Sequence, residues 1–265
     1  MTRRALAALA ATVSLTGCGT GEHAEKVVAR TADRLGGVRS GDLELRVLAA
    51  PGDKPGRGVG FELDGPFSLG GEKSLPVARI RFTRFRGRKE SSALLTSTGD
   101  EAFVTAGGRT TPLPPSVAKG LSLGERGSGK GRSLAQLGLR VDTWIADPEL
   151  EDGPTLGGVE TDRVTGRLRA GRAVRDVLTA IRGAGTGVTG STDKLVDAID
   201  EAVKSARAEL VTGRRDGILR RLDVSVDLRP ARELDKAIPG VGAVRLTARL
   251  ALRKPNRRVS VSAPG

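Results

Sequence analysis

The chain of 265 residues has no tyrosine, and only one each of tryptophan, histidine, cysteine and methionine. Each shortage excludes something. A single cysteine, Cys18, permits no intramolecular disulfide, so stability rests on burial and backbone pairing. The lone His23 sits close to the N-terminus and leaves no Ser-His-Asp or Cys-His set. Zinc would lack both of its usual ligand types. Aromatic residues make up 2% of the chain, so the core has to be Leu, Val, Ile and Ala, and the hydrophobic content of 38% can supply it. Stacking platforms for nucleic acid need aromatics that are missing here. The net charge of +13 does not replace them, because the cations are dispersed, as at Arg79, Arg81, Arg245 and Arg249 on alternate positions of apolar segments. Dispersed charge reads as a solvated sheet face, not a nucleic-acid patch, although it suits anionic lipid headgroups.

No apolar run is long enough to cross a bilayer, which takes about 20 residues. The nearest candidate is Ala5–Leu15, preceded by Arg3 and Arg4 and followed by Thr16, Gly17 and Cys18. A positive start, a short apolar stretch and small residues before a cysteine form an export signal. Leu15-Thr16-Gly17-Cys18 resembles the lipobox of bacterial lipoproteins. The resemblance implies cleavage after Gly17 and lipid attachment at Cys18. Residues 1–17 are then the signal peptide, 18–24 a lipidated tether and 25–265 one domain. The location expected is the outer, extracytoplasmic face of the cell membrane, held by the lipid anchor.

Along the chain, residues 25–37 read as a helix ended by Gly36-Gly37. From Ser40 the period becomes two: Leu43, Leu45 and Val47 alternate with charge, and Val59, Phe61 and Leu63 repeat the pattern after a Pro/Gly-rich loop, closed by Asp64-Gly65-Pro66. Further strands are expected over 77–86, 91–97 and 101–106, the last two joined by a turn at Ser97–Asp100. Residues 107–158 give weaker signals: short helices at 115–122 and at 133–145 around Trp144, and an acidic loop at 147–153. A strand follows over 159–169 and a helix over 174–181. Leu195, Val196, Ile199, Ala202, Val203, Ala206 and Leu210 recur at steps of three and four, which predicts a helix from Ser191 to Gly213 with an Asp200–Lys204 pair. Strict alternation returns over Leu222–Leu228 and Val244–Leu252, and a final strand is expected at Val259 and Val261. Alternation over so many segments means an antiparallel sheet with one apolar face, which the helices have to cover.

Sites for catalysis are weak. Gly124–Lys130 follows a phosphate-loop pattern, but Gly131 stands where the magnesium-binding hydroxyl belongs, so a surface loop is the better reading. Asp147/Glu149 and Glu151/Asp152 read as solvated loop charge. No enzyme activity, metal or cofactor is expected.

Five stretches resemble the actinobacterial LppX/LprA/LprF/LprG lipoproteins, whose fold is related to the LolA and LolB carriers. They are the lipobox with its following helix, Thr98–Val104 with Gly107-Gly108, Gly158–Gly166, Asp216–Leu222, and the terminal segment ending Ala263-Pro264. The resemblance implies an α+β fold: a strongly curved antiparallel sheet, or half-barrel, with helices covering its concave face. It implies an apolar cavity for acyl chains of lipids, glycolipids or lipoproteins. Leu43, Leu45, Phe61, Leu63, Ile80, Phe82, Leu222, Val224, Val226, Leu246 and Leu250 would line the sheet side. Leu178, Ile181, Leu195, Ile199 and Val203 would face them from helices. The partners expected are the membrane, an acyl-chain lipid and a membrane transporter. The alternative is an envelope interaction module whose closed core docks a protein partner.

Overall fold

The computed structural model describes residues 20–51, 58–69, 75–114, 134, 139–183, 192–229 and 243–264. Helix α1 (Thr20–Leu35) places Ala24, Val27, Val28, Thr31 and Leu35 on one buried stripe, the three-and-four spacing of an amphipathic helix. It starts earlier than the sequence suggested, so residues 20–24 are helical.

Eleven strands then form one antiparallel sheet. In chain order they are β1 (Ser40–Pro51), β2 (Val59–Ser68), β3 (Val77–Arg86), β4 (Lys89–Thr98), β5 (Ala102–Ala106), β6 (Arg109–Pro112), β7 (Ile145–Asp152), β8 (Thr161–Leu168), β9 (Val203–Gly213), β10 (Leu219–Leu228) and β11 (Val244–Arg253). Their order across the sheet is β6-β5-β4-β3-β2-β1-β11-β10-β9-β8-β7. The outermost strands, β6 and β7, do not pair with each other, so the sheet is not closed. Two more helices, α2 (Ala170–Gly183) and α3 (Thr192–Ala202), lie between β8 and β9 in sequence and pack on one another. The class is α+β, as expected.

Several local expectations fail. The helix expected from Ser191 to Gly213 stops at Ala202, and Val203–Gly213 is strand β9. Ala206 and Leu210 satisfy a four-residue step, yet Ala206, Ala208 and Leu210 also alternate, and pairing with β8 and β10 decides between the two periods. Lys204 is therefore a strand residue, and the helical Asp200–Lys204 pair does not form. The acidic 147–153 stretch is mostly strand β7, with a register shift between Ala146 and Glu149 absorbing Pro148. Of the helix expected at 133–145, residues 133 and 135–138 lie outside the described residues, and next to Trp144 stands a 3-10 turn, Val141–Thr143, before β7 begins. Strand β2 continues past Gly65-Pro66 to Ser68. A side chain at Gly65 would meet the Arg79 carbonyl at 2.1 Å, so glycine lets β3 approach there. Val259 and Val261 lie in no strand. The expected helix at 115–122, the Gly124–Lys130 loop and Cys18 fall outside the described residues.

The main core lies under α1. Ala24, Val27, Val28 and Leu35 pack with Trp144, Ile145, Val164, Leu168, Leu210, Leu219, Leu222 and Val226. The indole of Trp144 donates to Asp176 Oδ2 (2.7 Å), which also accepts from the Arg140 amide (3.1 Å), tying α2 to the turn before β7. The amide of Gly171, in the first turn of α2, donates to Asp200 Oδ1 of α3 at 2.8 Å, a carboxylate at a helix N-terminus. A smaller cluster of Val38, Phe67, Leu69, Ala78 and Leu252 closes the beginning of β1.

Candidate functional site

Residues opposite one another in neighbouring strands share a face, so the register defines the inner surface of the sheet. One row runs Leu150, Val164, Leu210, Leu222, Leu250, Leu45, Leu63, Phe82, Ala93, Ala106. The next toward the beginning of β1 contains Leu252, Leu43, Gly65, Ile80, Leu95 and Val104. On the other side lies Ala208, Val224, Ala248, Val47, Phe61. This is a continuous aliphatic surface.

The outer face is its opposite. Arg46 pairs with Glu62 (3.2 Å), Arg249 with Asp223 (2.6 Å), Arg245 with Asp227 (2.7 Å), Arg221 with Glu209 (2.6 Å) and Arg253 with Asp64 (3.3 Å). Arg163 pairs with Glu151 across β7 and β8. The Arg245 guanidinium and then the Ser205 hydroxyl hold the Asp227 carboxyl below the usual range. Arg249 is raised by Asp223 in the same way. The alternating charges of β1, β10 and β11 thus form ion pairs across the outer face.

Burial divides the inner surface in two. Helix α1 packs along β7 and also touches β8 and β10. Leu222 and Val226 lie beneath it and are buried, and Val224, Leu246 and Leu250 pack against the same core. Toward β1–β5 the cover supplied by the described residues thins. Leu45, Val47, Phe61, Leu63 and Leu95 are half-buried, and Phe82 is 40% exposed. None of these six belongs to a core cluster. Phe61 and Phe82 stack with centroids 6.2 Å apart. Leu43 and Ile80 bridge this patch to the smaller core.

The sixteen residues expected to line a cavity therefore separate. Leu45, Phe61, Leu63 and Phe82 form the patch, with Leu43 and Ile80 at its margin. Leu222 and Val226 are core, and Val224, Leu246 and Leu250 border it. Leu178 is half-buried on α2 and Ile199 packs against the main core from α3. Val203 belongs to β9 and not to a helix. The side chains of Ile181 and Leu195 fall outside the described residues. Val47 and Leu95 were missed, although their alternation with polar neighbours carried the signal.

A surface groove of about 510 Å³ lies elsewhere, lined by Lys26, Ala29, Arg30, Asp33 and Arg34 of α1. Among the described residues no group of three or more His, Cys, Asp or Glu could hold a metal ion. No described helix is long and apolar enough to cross a membrane.

An unclosed antiparallel sheet with an apolar inner face and a helix laid on one half defines the architecture. No known family model matches the chain, and no curated protein does. Among solved structures it is similar to LprF from Mycobacterium bovis, with a TM-score of 0.50 and 11% identity over 92% of this chain and 98% of that one. The lipoprotein LppX of Mycobacterium tuberculosis aligns at a TM-score of 0.43 and 12% identity, over 91% and 99% of the two chains. A LolA superfamily protein from Nitrosomonas europaea aligns at 0.23 and 10% identity, over 87% and 94%. The likeness to LprF shows a shared fold.

Proposed function

We propose that this protein is a lipoprotein, anchored at the extracytoplasmic face of the membrane through Cys18, that binds acyl-chain lipids on the inner face of its sheet. The patch formed by Leu45, Val47, Phe61, Leu63, Phe82 and Leu95 carries the reading, because it is contiguous, apolar and outside the packed core. Large apolar patches on soluble domains mark interaction sites. Aliphatic side chains without polar anchors suit flexible hydrocarbon, since burial is non-directional and contributes roughly 25 cal/mol per Å². The fold shared with LprF supports the same reading, and so does the lipobox-like Leu15–Cys18 segment. No catalytic role is proposed.

The test uses a Cys18→Ala chain. It should leave the membrane fraction on washing with 0.5 M salt, which screens any surface attraction, whereas retention through that wash would remove the anchoring claim. Purified from the soluble fraction, it should carry acyl lipid detectable by mass spectrometry and bind a fluorescent fatty-acid probe. Leu63→Glu with Phe82→Glu should weaken probe binding at least about tenfold, because charge in an apolar site is strongly disfavoured. An empty protein whose probe binding ignores both substitutions would refute the lipid reading and favour a protein-docking face.

A further inference from the structure

The inner face changes chemistry along the strands. Beyond the Leu45–Leu63–Phe82 row come Val47, Phe61, Arg84 and Ser91, and beyond these Ala49, Val59, Arg86 and Lys89. Arg88 stands in the β3–β4 turn. Arg84, Arg86, Arg88 and Lys89 are all exposed, and among the described residues none has a carboxylate partner. On the outer face the arginines of β1, β10 and β11 are paired, while Arg79 and Arg81 of β3 have no carboxylate partner among the described residues. The one acidic residue of the hairpin tip, Glu90, is opposite Phe85 and so on the outer side. Beside the cations stand Val59 and Phe82, 53% and 40% exposed. Four unpaired cations next to exposed apolar side chains are complementary to an anionic, amphiphilic surface.

A second observation concerns α1. Arg30 reaches Asp162 (3.7 Å) and Thr31 bonds Thr212 (3.0 Å), which pins the later part of the helix at the end of the sheet away from the β3–β4 turn. The helix packs along β7 and touches the Val141–Thr143 turn that precedes Ile145. Its N-terminus therefore points toward the other end. That end is the row of strand ends containing Ile145–Leu168 and Ala206–Val226–Leu246–Ala49–Val59–Arg86–Lys89. Cys18 precedes Thr20 by two residues, which is at most about 8 Å of backbone. The start of α1 and the cationic hairpin thus lie toward the same end of the sheet.

We infer that the β3–β4 hairpin tip, with Arg84, Arg86, Arg88 and Lys89 beside Val59 and Phe82, docks on the anionic headgroup surface of a lipid bilayer. Basic side chains supply the attraction, and the neighbouring apolar groups enter the interfacial region. Docking there sets the strand ends, and the open end of the apolar patch, against the membrane. The inference stands on charge and register and does not require a lipid to occupy the patch.

The experiment uses the full chain with Cys18→Ala, so that no anchor contributes. Binding is measured by co-sedimentation with vesicles of equal phosphatidylglycerol and phosphatidylcholine, and with vesicles of phosphatidylcholine alone. The Cys18→Ala chain with its hairpin intact should prefer the anionic vesicles and be released by 0.5 M salt, where screening is strong. Arg84→Gln, Arg86→Gln, Arg88→Gln and Lys89→Gln together should lower anionic partitioning on the order of 100-fold. A control with the same loss of charge at exposed Arg172, Arg207, Arg215 and Arg258 should retain most of it. Circular dichroism checks that both fold, and the salt dependence of the unsubstituted surface provides a readout independent of any variant. Equal binding to both vesicle types, or an equal loss in the control, would overturn docking by this hairpin. Lipid measured by mass spectrometry on the same samples separates the two claims: an empty protein that docks refutes the lipid-binding reading alone, and a lipid-filled protein that ignores anionic vesicles refutes docking alone.

Discussion

Arg220 is the most demanding single residue in the structure. Its side chain is 9% exposed, and it sits where the register of β10 against β9 slips between Leu219 and Arg221. One guanidinium nitrogen pairs with Asp216, while Nε and Nη1 have no hydrogen-bond partner. A buried charge that is only partly satisfied adds little stability, and removing its one partner is worse than removing the charge. Arg220→Met should therefore unfold within about 1 kcal/mol of the wild type, or more stably, in urea. Asp216→Ala should lose about 2 kcal/mol, a value discounted because Asp216 is 40% exposed and one that includes the loss of its bond from the Ile218 amide. The reverse order would show that Arg220 has a compensating partner. Nothing in the sequence marks Arg220 as buried, because its burial follows from a bulge that strict alternation does not contain.

At the scale of elements, the outer charge ladder and the inner aliphatic rows are both consequences of alternation, and both were legible in β1, β2, β10 and β11. The ladder has a pH signature. Asp227 is held below its ordinary value by Arg245 and Ser205. A group depressed in the folded state stabilises above its unfolded value, about 3.9, and that contribution disappears as pH falls through the folded value. Asp227→Asn should flatten the loss of stability below about pH 4 and leave its dependence between pH 6 and 8 unchanged. Urea midpoints across that range decide the matter, and an unaltered acid limb would show the pair contributes nothing. Strand β9 is the opposite case. Ala206 and Leu210 fit helix and strand spacing alike, and the neighbouring β8 and β10 select the strand. Strand β7 was hidden by its acidic residues, of which Glu149 and Glu151 fall on the charged outer face.

Over the whole molecule, stability should be uneven. The half carrying α1 holds the main core, with Leu210, Leu219, Val164 and Val211 fully buried. Among the described residues the β3–β6 half has little cover, and every residue of edge strand β6 is exposed. Local opening follows buried contact density. Amides of β9 and β10 should thus exchange slowest with solvent deuterium and those of β5 and β6 fastest. Protection of β3–β5 equal to that of β9–β10 would mean that the apolar patch is closed in solution, which would remove the proposed lipid site. The single Trp144, 5% exposed and bonded to Asp176, reports on the stable half only, so fluorescence and exchange should be read together.

Sequence alone determined the class of this fold and the two chemistries of its sheet. Period-two alternation is a property of the strand itself, so Leu43–Val47, Phe61–Leu63, Leu222–Leu228 and Val244–Leu252 declared their faces before any partner was known. It also determined the N-terminal Leu15–Cys18 motif, which is a matter of covalent order. Tertiary structure decided which inner-face residues are core and which are free. Leu222 and Leu63 are indistinguishable in the sequence and stand on one register row, yet the first lies under α1 and the second does not. It likewise decided that Arg84, Arg86, Arg88 and Lys89, near neighbours in the sequence, stand at a hairpin tip whose acidic Glu90 is turned to the other face. Burial and charge density depend on what packs above a strand and on which strands pair, and neither is encoded in the period of any one segment.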